Sequence, residues 1–379
     1  MKTTAAVLWE VGAPWSVEEI ELDPPLDTEV LVRMVASGMC HTDEHLVTGD
    51  LPSEFPIVGG HEGAGVVEAV GIKVTRVRPG DRVIFSFIPS CGVCPSCSTG
   101  YQNLCDLGAL LGLRKQIFDG TSRHHARGQD LGLMCLLGTF SHHTVVNELS
   151  CMKLELGIPL ELACLLGCGV VTGWGSAVYA AQTGPGDVVA VVGAGGIGMN
   201  AIQGARLSGA KQIWAIDPLP HKQKAALASF GATHAASSIE EALEPIREAS
   251  WGRMCNKVIM TAGVGSGLRI AEALALTGKN GRVVITNVHP STETTVDASM
   301  LDLVLMQKQL VGSCFGSANP QADIPQLIEL YLNNQLNLED LVTNTYALED
   351  VNQGYEDLRS GKNIRGVLRL GDDPGLGDG

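Results

Sequence analysis

Residues 188–217 read VVAVVGAGGIGMNAIQGARLSGAKQIWAID, and this stretch decides the fold. An uninterrupted apolar run predicts a strand buried on both faces, as in a parallel sheet covered by helices. The glycine turn opens a helical pattern, and a second apolar run follows. Gly193, Gly195 and Gly198, with Gly196 and Ile197 between them, give the spacing GxGxxG directly after a strand and before a helix. That context turns a weak motif into a dinucleotide site: the glycines permit a tight turn, close approach of a pyrophosphate and close helix-to-strand packing, and the helix N-terminus offers N–H groups to phosphate. Asp217 ends the second strand 19 residues after Gly198, where a carboxylate accepts the adenosine ribose hydroxyls and repels an extra phosphate. NAD(H) is therefore expected over NADP(H). The competing reading is an ordinary carboxylate at a strand end.

Further strand-like runs at 256–262 and 282–288 (RVVITNV) extend this doubly wound parallel-sheet domain over 172–312. Upstream, EVLVRMVASG and GVVEAVG between glycine turns predict a β-rich domain over 1–171, to which 313–370 returns through a helix-like DIPQLIELYLNN and a strand-like VLRL. Residues 371–379 are expected to fray. At 379 residues two domains are the natural organisation. The excess of 41 Asp and Glu over 26 Lys and Arg argues against a nucleic-acid or anionic-membrane partner. The first residues lack a signal-peptide core, and no apolar run is long enough for a bilayer, so a cytoplasmic chain is expected.

In a reducing compartment clustered thiols more often bind metal than form disulfides. Cys91, Cys94, Cys97 and Cys105 fall in CGVCPSCSTGYQNLC, within a turn-rich lobe at about 89–106. Four thiolates fill a tetrahedral zinc shell, so this zinc is expected to brace a loop and to take no part in chemistry. A redox CxxC is the alternative, but it would open a helix after a strand and needs only two thiols.

A third grouping lies in GMCHTDEHLVTGDLPSEFPIVGGHEGAG (38–65), with GCGVVTGWG (167–175) far downstream. With these segments the chain resembles, over nearly its whole length, the zinc-containing medium-chain dehydrogenase/reductase family, particularly its alcohol dehydrogenases. The resemblance implies an α/β chain in which a GroES-like catalytic domain joins a Rossmann cofactor domain. It puts Cys40, His61 and Cys168 on a catalytic zinc with a fourth position open, which makes two zinc ions per chain. It implies interconversion of alcohols and aldehydes by hydride transfer between the zinc-held substrate and NAD(H). Asp43 would orient His61, and Glu62 would act beside the metal or ligate it transiently. Thr42 would hydrogen-bond the substrate oxygen and pass its proton through the nicotinamide ribose to His45, which exchanges it with solvent. His41 and Arg365 match positions near the pyrophosphate, Thr172 one near the nicotinamide, and Lys222 one near the adenosine ribose. For each of these four, a solvated charge or a capping hydroxyl is the plain alternative.

The histidines at 124, 125, 142 and 143 lack a ligand pattern and read as polar loop or surface residues. Cys135, Cys151, Cys164, Cys255 and Cys314 read as small hydrophobes. Residues 106–130 resemble the insertion of glutathione-dependent formaldehyde dehydrogenases, the alternative reading, but no arginine stands in 106–112 to meet that substrate's carboxylates. GSANPQADIPQLIELY and LVTNTYALEDVNQGYEDLRSGKNIRGV resemble actinobacterial NDMA-dependent nicotinoprotein alcohol dehydrogenases. That implies tightly held NAD(H), re-oxidised in place by a second electron-accepting substrate or redox partner. A non-catalytic NAD-binding scaffold or a zinc-free quinone reductase is opposed by the intact metal ligands. Phe87, Leu110, Phe118 and Phe140 are candidate pocket liners for a small alcohol or aldehyde. RVVITNV is the expected edge of a homo-oligomer, a dimer or a tetramer.

Overall fold

The computed structural model describes residues 1–112, 115–155 and 157–375, and the chain forms two compact units, Met1–Cys168 with Asn319 onward, and Gly169–Ala318. The second unit begins at 169 and ends at 318, rather than at 172 and 312. The reason is packing within that unit. A side chain at Gly173 would strike the Ile197 carbonyl oxygen at 2.1 Å, and one at Gly175 the Gly316 carbonyl oxygen at 2.3 Å. Helix Gly169–Gly175 and the turn Phe315–Ser317 are therefore tied to the same body as the glycine motif.

In the second unit a parallel sheet runs in the order His234–Ala236, Gln212–Ile216, Val188–Val192, Cys255–Met260, Thr277–Ile285 and Gln309–Gly312. All five residues of Val188–Val192 are buried, as the unbroken apolar run requires. From this strand the chain builds outward on one side through Gln212–Ile216 to His234–Ala236, then crosses back to the other side with Cys255–Met260, so the glycine turn at its carboxyl end lies at the switch point where such sheets bind ligands. RVVITNV is not an edge. Thr277–Ile285 has a partner strand on each side, and among the described residues the edge on that side is Gln309–Gly312.

The first unit holds two largely antiparallel sheets. One carries the long strand Glu29–Met39 between Glu62–Val70 on one side and His143–Asn147 with Arg365–Arg369 on the other. Register then assembles the site: Gly38 stands opposite Glu62, and Met39 opposite Gly366. Cys40, His61, Glu62 and Arg365 thus meet at one end of three adjacent strands, although Arg365 lies 303 residues from Glu62. Behind them Met34, Met39, Phe85, Phe140, Trp15 and Tyr355 fill one core, with Trp15 edge-on to Phe140 at 5.8 Å and stacked on Tyr355 at 6.1 Å.

The start of the expected frayed tail is anchored instead. Asp373 takes an ion pair from Arg82 at 2.7 Å and the Leu160 N–H at 3.0 Å, while residues 376–379 lie outside the described residues. Among the described residues no single helix is long and apolar enough to cross a membrane.

Candidate active site

Cys40 follows the strand Glu29–Met39 and caps the helix His41–Thr48, its Sγ accepting the Thr42 N–H at 3.5 Å. A sulfur at a helix N-terminus is favoured as thiolate. His61 follows Gly60, whose φ of +88° and crowding by Phe140 and Thr139 exclude a side chain and fix the turn that delivers the imidazole. Cys168 closes the turn Cys164–Gly167. The ligand atoms of Cys40, His61, Glu62 and Cys168 lie within 4.8 Å of one another, and all four residues are buried.

The electrostatics of this cluster fit a cation. A hydrogen bond from Cys168, with the charges of Arg365 and His61, holds the Cys40 thiol well below its ordinary range, against burial. The same bond, with burial, holds Cys168 well above it. Two buried thiols sharing a proton both ionise only when a positive ion replaces it. His61 turns Nδ1 toward Asp43 Oδ2 at 3.0 Å, while Asp43 Oδ1 accepts the Gly60 N–H at 2.8 Å. His61 is also hydrogen-bonded to Cys40, so the buried ring lies between the Asp43 carboxylate and the Cys40 sulfur, as suits a ligand oriented by a carboxylate. Glu62 is fully buried and its Oε1 is paired with Arg365. Burial raises the Glu62 carboxyl and Arg365 opposes it. Phe87 stands edge-on to His61 with ring centres 6.0 Å apart, as a pocket wall would.

On the same helix the Thr42 hydroxyl lies 3.4 Å from Cys40 Sγ, and His45 is buried. His41 is the helix's first residue. His45 Nδ1 meets Asp50 Oδ2 at 3.2 Å, and the Thr48 hydroxyl donates to that same oxygen at 2.6 Å.

In the cysteine lobe the ligand atoms of Cys91, Cys94, Cys97 and Cys105 lie within 4.8 Å of one another. The separations Cys91–Cys97 and Cys94–Cys105 are 3.9 and 4.0 Å. Tetrahedral zinc with bonds of about 2.3 Å sets its sulfurs about 3.8 Å apart, whereas a disulfide needs about 2.0 Å. N–H groups of Cys94, Cys97 and Asp106 point at sulfur from 3.3 to 3.4 Å and favour thiolates. Those of Asp106 and Cys97 bring the Cys94 thiol down to about 7, while burial pushes Cys97 up to about 12.

At the glycine turn Gly193 has φ of +101°. A side chain at Gly198 would meet the Gly193 carbonyl oxygen at 1.8 Å, whereas one at Gly195 would enter open space. That space would admit a pyrophosphate, and helix Gly196–Leu207 has no side-chain cap on its leading N–H groups. Asp217 Oδ2 accepts the Ala194 N–H at 2.8 Å and Oδ1 the Leu219 N–H at 2.9 Å, so this carboxylate also braces the turn. Burial draws the Lys222 ammonium below its ordinary value, with the charge of Asp217 opposing. The Thr172 hydroxyl is buried without a partner.

Two family profiles match the chain: "Alcohol dehydrogenase GroES-like domain" over 26–156 and "Zinc-binding dehydrogenase" over 196–333. Alcohol dehydrogenase B of Mycobacterium tuberculosis is 50% identical over 374 residues, 98% of this chain and 100% of the relative. The NDMA-dependent alcohol dehydrogenase of Amycolatopsis methanolica is 49% identical over 368 residues, 97% and 99% of the two chains. The chain belongs to the zinc-binding alcohol dehydrogenase family. Among solved structures, an alcohol dehydrogenase zinc-binding domain protein from Burkholderia ambifaria superposes with a TM-score of 0.90 at 33% identity, covering 98% of this chain and 100% of that one. Benzyl alcohol dehydrogenase from Acinetobacter calcoaceticus superposes with a TM-score of 0.86 at 28% identity, with the same coverage. Zinc and a nicotinamide cofactor are therefore the groups to fit, and the thiol clusters and the open glycine turn fit them.

Within this alcohol dehydrogenase framework some expectations change. His124 is not a surface residue: it is fully buried, with Nε2 3.2 Å from the Thr144 hydroxyl. Cys314 is exposed at the head of the turn Phe315–Ser317 and does not pack as a hydrophobe. Phe140 belongs to the core and Phe118 is exposed, so neither stands as Phe87 does; the Leu110 side chain lies outside the described residues. Arg365 has its guanidinium on Glu62. Sequence reading missed this pairing because nothing local links the two residues. It also missed Asp50, although a carboxylate five residues after His45, across the helix-ending Gly49, was the available signal.

Proposed function

We propose that the chain oxidises small alcohols to aldehydes, and reduces aldehydes, with two zinc ions per chain and NAD(H) as the hydride carrier. The observation that carries this reading is the buried cluster of Cys40, His61, Glu62 and Cys168. Zinc held there supplies Lewis acidity that makes an alcohol hydroxyl easier to deprotonate. Asp43 fixes the ring of His61, and Arg365 balances the buried charge of Glu62. Thr42 hydrogen-bonds the substrate oxygen, and His45 receives the proton that Thr42 relays. NAD(H) bound at Gly193, Gly195, Gly196, Ile197 and Gly198, with Asp217 and Lys222 at the adenosine ribose, supplies the hydride acceptor. Thr172 faces the nicotinamide, and His41 serves the pyrophosphate. Asp217 favours NAD(H) by repelling the extra phosphate of NADP(H).

The cofactor stays bound between turnovers and is re-oxidised in place by a second electron-accepting substrate. Likeness to the NDMA-dependent enzyme at 49% identity over nearly the full length supports this. The absence of arginine from 106–112 disfavours a glutathione adduct as substrate. Protein purified without added cofactor is expected to carry about two zinc ions per chain. It is also expected to carry a nicotinamide that alcohol reduces and NDMA re-oxidises. An empty protein with ordinary NAD+-dependent turnover would overturn retention, and a metal count of one or none would overturn the ligand assignment.

A further inference from the structure

The helix His41–Thr48 ends at Gly49 with φ of +78°, and the reversed chain donates the Leu51 N–H back to the His45 carbonyl at 3.1 Å. This turn brings Asp50 to the Nδ1 edge of the buried imidazole. Asp50 Oδ2 is fixed twice, by the Thr48 hydroxyl at 2.6 Å and by His45 Nδ1 at 3.2 Å. Side-chain exposure steps outward, from 2% at His45 to 27% at Asp50.

We propose that Asp50 positions His45 for proton transfer and forms the outlet of the relay to solvent, an inference that rests on the His45 relay proposed above. A carboxylate on Nδ1 holds the ring as the Nδ1–H tautomer, which leaves Nε2 the basic nitrogen. The steps balance. The alcohol O–H bond breaks, and its proton is relayed to His45 Nε2. The Nδ1 proton leaves to the Asp50 carboxylate and then to water, which restores the ring after it turns or exchanges. The C–H electron pair would leave separately as hydride, for which a bound nicotinamide would supply the acceptor.

Neighbouring charges are engaged elsewhere. Asp43 is held by His61 and the Gly60 N–H, and Glu44 pairs with Arg359 of helix Val351–Arg359 at 2.8 Å. The hydrogen bond from Thr48, then the bond and charge of His45, hold the Asp50 carboxyl below its ordinary value.

The test compares Asp50→Ala, Asp50→Asn and His45→Gln in cofactor-loaded, zinc-replete protein, by single-turnover reduction of the bound nicotinamide with alcohol. Asp50→Ala is expected to slow reduction about tenfold. Small buffer bases such as imidazole should restore the rate in proportion to concentration, with zinc content and the alcohol KM unchanged. Asp50→Asn, which keeps an acceptor but not the charge, should fall between Asp50→Ala and the parent. Independently of turnover, 15N spectra should show the Nδ1–H tautomer of His45, assigned by its loss in His45→Gln, and a mixed tautomer in Asp50→Ala. If His45→Gln becomes buffer-dependent while Asp50→Ala keeps parental rate and tautomer, the relay stands and Asp50 is not in it. If neither variant alters rate or buffer dependence, the His45 relay itself falls. A rate loss in Asp50→Ala that buffer does not rescue makes Asp50 a turn-former and overturns the proposal.

Discussion

The carboxylate of Asp217 accepts two backbone N–H groups, from Ala194 in the glycine turn and from Leu219 beyond the strand, and it is buried. Removing it leaves both donors unmet, at a cost of roughly 2–4 kcal/mol. Asp217→Ala is thus expected to lose stability and, if Asp217 meets the ribose, also at least tenfold of its preference for NAD(H) over NADP(H). Calorimetric titration of cofactor-free protein with each nucleotide separates the two roles: lost stability with unchanged preference would leave Asp217 a turn brace only. His124 makes a second case. The Thr144 hydroxyl gives its hydrogen to the Leu137 carbonyl at 2.6 Å, so His124 must donate to Thr144 through Nε2–H. Nδ1 is buried without a partner, and burial, aided by the charges of His125 and Arg123, brings the ring's pKa down to about 3. The folded chain therefore prefers the neutral ring. Its contribution is fully present above the unfolded value of about 6.5 and is lost as the pH falls toward 3, at up to about 1.4 kcal/mol per pH unit. Urea midpoints of the parent and His124→Gln at pH 7, 5.5 and 4.5 should converge on acidification; parallel curves would show that His124 does not titrate on unfolding.

Elements show where pattern outruns topology. RVVITNV carries strong strand character, and that strength belongs to a strand with partners on both sides. The true edge, Gln309–Gly312, is four residues of alternating exposure and too short to announce itself. Beside it in the chain, helix Met300–Leu305 leaves Met300, Leu301, Val304 and Leu305 exposed at 70, 69, 70 and 69%. Apolar residues this open, next in sequence to an edge strand, are where a second copy would be expected to associate. Pairing of Gln309–Gly312 with a second copy about a two-fold axis would continue the sheet and cover this helix. Replacing Leu301 and Val304 together by Glu should convert a dimer to monomers with the cofactor still bound, as light scattering would read. A monomeric parent, or a double variant that stays dimeric, would place any interface elsewhere.

At the scale of the whole chain, legibility follows sequence distance. The glycine turn announced itself because strand, turn, helix and ribose-side carboxylate occupy one stretch, and the cysteine lobe because four ligands fall within fifteen residues. Cys168 was readable only by resemblance, and the Arg365–Glu62 pair was not readable at all, because sheet register, not local pattern, joins residues from both ends of the chain. The same division predicts how the molecule loosens. The candidate metal ligands Cys40, His61 and Cys168 and the four lobe cysteines all belong to the first unit, whereas the glycine turn belongs to the second. A ligand stabilises only the states that bind it, so metal removal should act on one unit and cofactor removal on the other. Hydrogen exchange after chelation is expected to quicken in helix His41–Thr48, around 91–106 and in the turn Cys164–Gly167, leaving strands Val188–Val192 and Gln212–Ile216 protected. Stripping the cofactor from metal-loaded protein should do the reverse, quickening exchange at Gly193–Gly198 and Leu219. Equal loosening of both units by chelation would mean that the metals hold more of the chain than their own ligand segments, and the assignment of stability by unit would fail.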